Sequence, residues 1–519
     1  LSVMQLVEAG QLDLDRDVNG YIDFLIPAAA DGSAVTLRRL LSHRTGFEDR
    51  LDRIGAWSGE RPSLGQFLAL RVPHRLRAQG EAVSYSNFNA SLAAYIVERA
   101  SGKSFEQYLN DHVFRPLEML RSTAVQPVPA PLSSEVSNGY LRSDWPPTRE
   151  SMAAATIYEV GSTGVIASGA DMARLMLALL DADPRIVSRA SLATMMSAQG
   201  GVPYGFVGLG LYSPVGAGGN AFVGHDGGTG GFGSTLALSP DRRLGLFASY
   251  NTQGSPAPVP APVELVQRFS ERYLAESKPR SSTRTVAGLL GAYQPARRTE
   301  SSLFKLRALL GQVTVQRAAS GDLMVAGARL EEIEPGLFRG AGLEFAFGEA
   351  GTATVLQIGA PVAAYVRVPL WTSARFVVPS VALCLIVATL AVLAWPTAWL
   401  RRRPPATDRI ARSLKHASRC ALLMSTTAIV AALWLALAGW PLAAVSFASV
   451  APLVAGIHVA GWLGVLLAPL AVWHALRFTR RRAGNLLAIG REIAFAFAAA
   501  ALAAFCLYAR IAETPLGVS

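Results

Sequence analysis

Residues 376–400 run for 25 positions without a charged side chain. A helix that crosses a bilayer needs about 20 apolar residues. Residues 420–476 contain no Asp, Glu, Lys or Arg, which is too long for one helix, and Gly439-Trp440-Pro441 is a natural break between two. A shorter run, 493–509, closes the series; it could start near Leu486 and carry Arg491 and Glu492 at the membrane interface. Arginine clusters flank these runs, which ordinary core helices do not require. The expected spans are about 376–400, 420–440, 450–476 and 488–509.

Charge follows the same division. The chain has 519 residues and a formal net charge of +11. Residues 401–419 and 477–492 hold almost all of it, in Arg401, Arg402, Arg403, Arg409, Arg412, Lys415 and Arg419, then in Arg477, Arg480, Arg481, Arg482 and Arg491. A nucleic-acid surface would spread its basic residues over a folded face, so no nucleic-acid partner is expected; the membrane partner is lipid. Loops rich in Lys and Arg face the cytoplasm. That orientation places everything before Phe376 outside the cytoplasm, as part of a multi-pass inner-membrane protein. An exported domain needs a leader. The chain opens at Leu1 within a helical pattern, without an initiator Met or a basic n-region, so the true N-terminus is expected to lie upstream.

Ahead of the membrane part, residues 1–275 read as a mixed α/β domain. Helical patterns cover 1–9, 88–100 and 168–181; strand patterns cover 220–224, 233–238 and 243–250. A Pro-rich stretch at 254–262 and a polar linker at 276–285 follow. Residues 286–370 show short β patterns at 312–316, 323–325, 343–347 and 354–358, which predict a small, mostly β accessory domain. The membrane region is then 376–510. Cys384, Cys420 and Cys506 lie in or beside the apolar runs, lack metal spacing, and are expected to be lipid-buried.

Several chemistries are unsupported. The sequence holds no Gly-x-Ser-x-Gly elbow and no His-Glu-x-x-His. Nor does it hold a Gly-x-x-x-x-Gly-Lys-Ser/Thr phosphate loop. Two local patterns remain. The first is Val83-Ser84-Tyr85-Ser86-Asn87-Phe88-Asn89, which puts a phenol and an amide beside a turn. A phenol can move protons when a cation lowers its pKa from about 10. The second is Gly224-His225-Asp226-Gly227-Gly228-Thr229-Gly230-Gly231, ending a strand pattern. Glycines on a strand edge let a substrate backbone approach and expose N–H groups toward an oxyanion. Either pattern alone fits an ordinary turn or hairpin.

Together, with their neighbours, they resemble the serine β-lactamase-like family of class C β-lactamases, DD-peptidases and related esterases. The resemblance covers most of 1–275. It rests on residues 4–15 (MQLVEAGQLDLD), 36–46 (TLRRLLSHRTG), Tyr85-Ser86-Asn87, 115–119 (RPLEM), 161–164 (GSTG) running to 171–174 (DMAR), and His225-x-Gly227. It implies a serine β-lactamase/DD-peptidase-like α/β (α+β) fold and an acyl-enzyme mechanism on D-amino-acid peptides, β-lactams or small esters. Neither cofactor nor metal is implied; the partner is a small-molecule or peptide substrate. Within that resemblance, Tyr85 would shuttle protons and Asn87 would hold the substrate or the catalytic lysine. His225, with Gly227, would replace the third-motif lysine, and the Gly228 N–H would supply half of an oxyanion hole.

The family's Ser-x-x-Lys motif is absent. By family spacing it belongs about seven residues before Leu1, at a helix N-terminus. The four lysines offer only Ser302-Leu303-Phe304-Lys305, which follows the other motifs and is read as coincidence. His43 is read as structural, and His458 and His474 as packing or interface residues. Two rivals stand beside the hydrolase reading: an inactive ligand-binding or sensing membrane protein, and a truncated remnant.

Overall fold

The structure is a computed structural model of the chain. It describes residues 1–519 except 51–54, 57–60, 81, 145–146, 153–155, 214–221, 230, 254–260, 274–285, 351–352, 402–408, 438–446, 482–484 and 513–519. The linker at 276–285, most of the Pro-rich stretch and the Gly439-Trp440-Pro441 break lie outside the described residues. The chain forms two compact units, residues 1–298 with 313–367, and residues 299–312 with 368–519.

The first unit opens on helix α1 (Ser2–Glu8), which buries Val3, Met4 and Leu6. The central helix α2 spans Asn87–Ser101 and buries Phe88, Leu92, Tyr95, Ile96 and Val97. Its first residue donates its backbone N–H to Asp49 Oδ1 at 2.8 Å. A carboxylate there satisfies a free N–H and complements the positive end of the helix dipole. Gly102, at φ +70°, ends the helix in the left-handed region, as glycine commonly does at this position. A third helix, α3 (Gly169–Asp181), is capped by Ser168, whose side chain accepts from the Asp171 N–H.

Strands β1 (Val223–Thr229), β2 (Phe232–Ser239) and β3 (Leu244–Tyr250) form an antiparallel sheet in that order. Among the described residues β1 is its edge. Gly224 has to be glycine: a Cβ there would sit 1.8 Å from the Leu236 carbonyl oxygen.

The β region exceeds the expectation drawn from four short patterns. Eight strands close into a barrel: β4 (Gly291–Pro295), β5 (Val313–Arg317), β6 (Leu323–Val325), β7 (Ala328–Glu334), β8 (Leu337–Gly340), β9 (Leu343–Ala350), β10 (Ala353–Ile358) and β11 (Ala360–Val368). Closure removes the free strand edges that invite aggregation. Tyr293, Val315, Val325, Leu330, Phe338, Phe345, Phe347 and Leu356 fill its core. Between β4 and β5 the chain leaves the barrel. Residues 299–312, with helix α4 (Lys305–Leu310), belong to the second unit, where Arg307 donates to the Ala436 carbonyl at 2.9 Å.

Among the described residues, the second unit has four helices long and apolar enough to cross a membrane: α5 (Ala374–Arg401), α6 (Arg409–Leu437), α7 (Phe447–Arg480) and α8 (Leu486–Tyr508). Helix α6 starts well before the expected 420 and carries Arg419 into the bundle. Glu492 is buried between helices, and it accepts from Arg419 Nη2 through both carboxylate oxygens at 3.1 Å. Each charge compensates the other's burial. Cys384 and Cys506 pack inside the helix cluster and do not face lipid. His458 Nδ1 lies 2.9 Å from the Ile511 carbonyl, a helix-end contact. Lys305 pairs with Glu300 at 2.8 Å and lies 4.3 Å from the Tyr508 ring centroid, which gives its ammonium partners other than Ser302.

Candidate active site

Tyr85 and Asn87 stand at the turn into α2, and His225 stands on the edge strand β1. The fold brings them together across 140 residues of sequence: Tyr85 Oη lies 3.4 Å from His225 Nε2. His225 Nδ1 lies 2.6 Å from the Asp226 carbonyl oxygen. A carbonyl only accepts, so Nδ1 carries the proton and Nε2 is left to accept from the phenol. Burial lowers the His225 pKa, which favours the neutral ring.

Burial also raises the Tyr85 pKa above the usual phenol value. Arg297 opposes that rise, whereas Asp49, Glu159 and Asp226 add to it. The Arg297 guanidinium lies 4.6 Å from the centroid of the Tyr85 ring. The resting group is therefore a neutral phenol hydrogen-bonded to a neutral imidazole.

Asn87 is held at both ends of its amide. Its Nδ2 donates to Glu159 Oε2 at 3.0 Å, and its Oδ1 accepts from Arg297 Nη2 at 3.4 Å. Glu159 reaches it through Gly161. That glycine has φ +92°, and a Cβ on it would sit 2.4 Å from the Ala94 Cβ of α2. Only a residue without a side chain lets this segment lie so close to the helix.

Gly227 and Gly228 lie beyond His225 on β1, both exposed. Gly224 exchanges backbone hydrogen bonds with Tyr212 at 2.9 Å, on the side away from β2. Hydrogen-bonding direction alternates along an antiparallel strand, so the Asp226 and Gly228 N–H groups point to that same side, away from β2. Asp226 confirms the alternation, its N–H donating to Tyr212 Oη at 3.0 Å. The Asp226 carboxylate accepts from Tyr212 Oη at 2.9 Å and Thr235 Oγ1 at 2.6 Å, which fixes the strand that carries His225.

His43 stacks on Tyr85 with ring centroids 4.0 Å apart. Its Nδ1 accepts from the Ser86 N–H at 3.4 Å and lies 3.3 Å from Asn89 Nδ2. Burial first, then His225 and Arg297, push its pKa down to about 3. The unfolded chain has a histidine near 6.5 and binds the extra proton first as pH falls. Stability is therefore complete above about pH 6.5 and declines from there to about 3. The expected cost is about 5 kcal/mol, at 1.36 kcal/mol per pKa unit. Acid unfolding followed by circular dichroism should show it. His43→Asn, which suits the left-handed backbone at φ 52°, should flatten that limb.

The sequence motifs assign no role to Arg297, Asp49, Glu159, Tyr212 or Asp226. Asp226 lies inside the Gly-rich motif and Glu159 two residues before a matched one; the other three lie outside every motif.

Helix α2, with its Tyr-x-Asn turn, thus faces the His-x-Gly edge strand. The chain belongs to the beta-lactamase family, whose model matches residues 1–268. An unguisins hydrolase of Aspergillus campestris is 29% identical over 240 residues, which is 44% of this chain and 45% of that protein. A putative penicillin-binding protein, PbpX of Bacillus subtilis, is 30% identical over 118 residues, 23% of this chain and 28% of the relative. The chain thus spans less than half the length of these curated relatives. The crystal structure of SurE shares 24% identity over 71% of this chain and 84% of its own, with a TM-score of 0.49.

Proposed function

We propose that this protein is a membrane-anchored serine hydrolase that works through an acyl-enzyme on D-amino-acid peptides, β-lactams or small esters. The observation that carries the reading is the 3.4 Å approach of Tyr85 Oη to His225 Nε2. The serine is expected from a Ser-x-x-Lys segment ahead of Leu1. Its oxygen bonds to the acyl carbon while its proton moves to Tyr85 Oη. Tyr85 passes its own proton to His225 Nε2. The Gly228 N–H, on the side of β1 away from β2, faces the oxyanion. Collapse breaks the bond to the leaving amine or alcohol, which takes the proton back through Tyr85. Water then repeats the sequence and releases the acid.

The four apolar helices anchor the enzyme. The arginine-rich segments 401–419 and 477–492 face the cytoplasm, and the hydrolase domain and barrel face outward. The test is to read the DNA upstream of the Leu1 codon and express the complete reading frame in membranes. Covalent labelling by a fluorescent penicillin or turnover of p-nitrophenyl acetate, lost when the new serine becomes alanine, is the expected result. If no Ser-x-x-Lys is encoded and no label forms, the hydrolase reading fails. Binding of a D-alanyl-D-alanine peptide without turnover would then identify a sensing module.

A further inference from the structure

The barrel's first strand, β4, ends at Pro295, and the next three residues enter the site of the hydrolase domain. Ser84 Oγ donates to the Ala296 carbonyl at 3.2 Å, one residue before Tyr85. The Asp49 N–H donates to the Arg298 carbonyl at 3.0 Å. Between these two ties, Arg297 Nε donates to Asp49 Oδ2 at 2.6 Å, and Asp49 is 1% exposed. The other oxygen of Asp49 holds the first N–H of α2, that of Asn87. The same guanidinium donates to Asn87 Oδ1 at 3.4 Å and covers the Tyr85 ring. One side chain, two residues past the end of β4, thus touches both members of the Tyr-x-Asn pair and the carboxylate that caps their helix.

We infer that the segment leaving the barrel after β4 is a working part of the active site: Arg297 is a positioning residue that fixes the Asn87 amide and the Tyr85 ring in their reactive arrangement. This rests on the hydrolase reading above. Glu159 and Arg297 grip opposite ends of the Asn87 amide, so its oxygen is presented to the cationic side and its nitrogen to the acidic side. Among the described residues Arg297 is the donor to Asn87 Oδ1, and without it the amide can turn. A misplacement of about 1 Å can cost about 100-fold in rate.

The test uses the complete reading frame in detergent. Arg297→Gln should lower kcat/KM for p-nitrophenyl acetate by about 10- to 100-fold, mainly through kcat, with Arg297→Lys recovering part of the loss. In an Asn87→Ala background the Arg297→Gln step should cost little more, because coupled residues are not additive. Arg297→Gln also strips a partner from the buried Asp49, so D49N/R297Q serves if the single variant does not fold. An Arg297→Gln protein as fast as the parent, or one whose loss is unchanged in the Asn87→Ala background, overturns the inference.

A second readout needs no reaction. In 3-fluorotyrosine-labelled protein, the Tyr85 ¹⁹F line is the one missing from Tyr85→Phe. Arg297→Gln should move that line and Arg297→Lys should move it back toward the parent. A line that stays in place overturns the inference even if the parent shows no turnover, whereas an inert parent whose line does move sinks only the hydrolase reading.

Discussion

Tyr85→Phe is expected to lower acylation by about 10²- to 10⁴-fold, the usual contribution of a positioned proton-transfer group, while the domain stays folded. The substitution removes one oxygen. That oxygen makes the 3.4 Å contact with His225 Nε2. The ring contacts remain available to phenylalanine: stacking on His43 at 4.0 Å and the Arg297 guanidinium at 4.6 Å. The stability change should therefore stay near the net worth of one hydrogen bond, about 1 kcal/mol. The two effects separate cleanly, because chemistry falls by orders of magnitude while the unfolding midpoint hardly moves. The check is the second-order rate of fluorescent-penicillin labelling on the complete reading frame, beside a thermal melt. A variant that labels at the parent rate would take Tyr85 out of the reaction. The same protein should bind substrate nearly as well as the parent, since a group that acts in proton transfer belongs to kcat more than to ground-state binding.

Which residues were readable depends on how local their signals are. Tyr85, Asn87 and His225 sit in short contiguous motifs, so a single sequence displays them. Arg297 does not. It meets Asn87 across 210 positions and Asp49 across 248, and a lone arginine after a strand carries no local mark. Tyr212 likewise matters through a contact with Asp226 that only folding creates. The barrel shows the same limit. Alternating residues betrayed some of its strands, but closure depends on β4 meeting β11, and alternation within one strand says nothing of its neighbours. Helix α4 did have a local signal, in Leu303, Leu306 and Leu310 at helical spacing, inside a segment otherwise read as β. A charge normally ends an apolar span, so hydropathy puts Arg419 in a loop. Its partner lies 73 residues away, beyond any window of hydropathy.

That partner makes the second large expectation. Glu492→Ala should destabilise the helix bundle by about 3–5 kcal/mol, the cost of leaving a buried charge without its counter-charge. Glu492 is 2% exposed and gathers three basic side chains: Arg419 and Arg491 at 3.1 Å and His474 at 3.5 Å. Arg419 is itself buried, with its guanidinium 4.2 Å from the Phe495 ring centroid, so it cannot reach water once Glu492 is gone. Arg491 is more than half exposed and can turn outward, so its loss should matter little. The pair as a whole contributes less than either half-deletion suggests. Desolvating two charges offsets most of their attraction, and a joint replacement by apolar residues of similar size is often neutral. Arg419→Met with Glu492→Leu should therefore recover most of what Glu492→Ala loses. Unfolding by SDS titration, followed by circular dichroism on purified protein, measures all three. If Glu492→Ala unfolds with the parent, the ion pair does not hold α6 to α8, and packing of Ala428, Ala432 and Leu435 with Ala499 and Leu502 carries that contact alone.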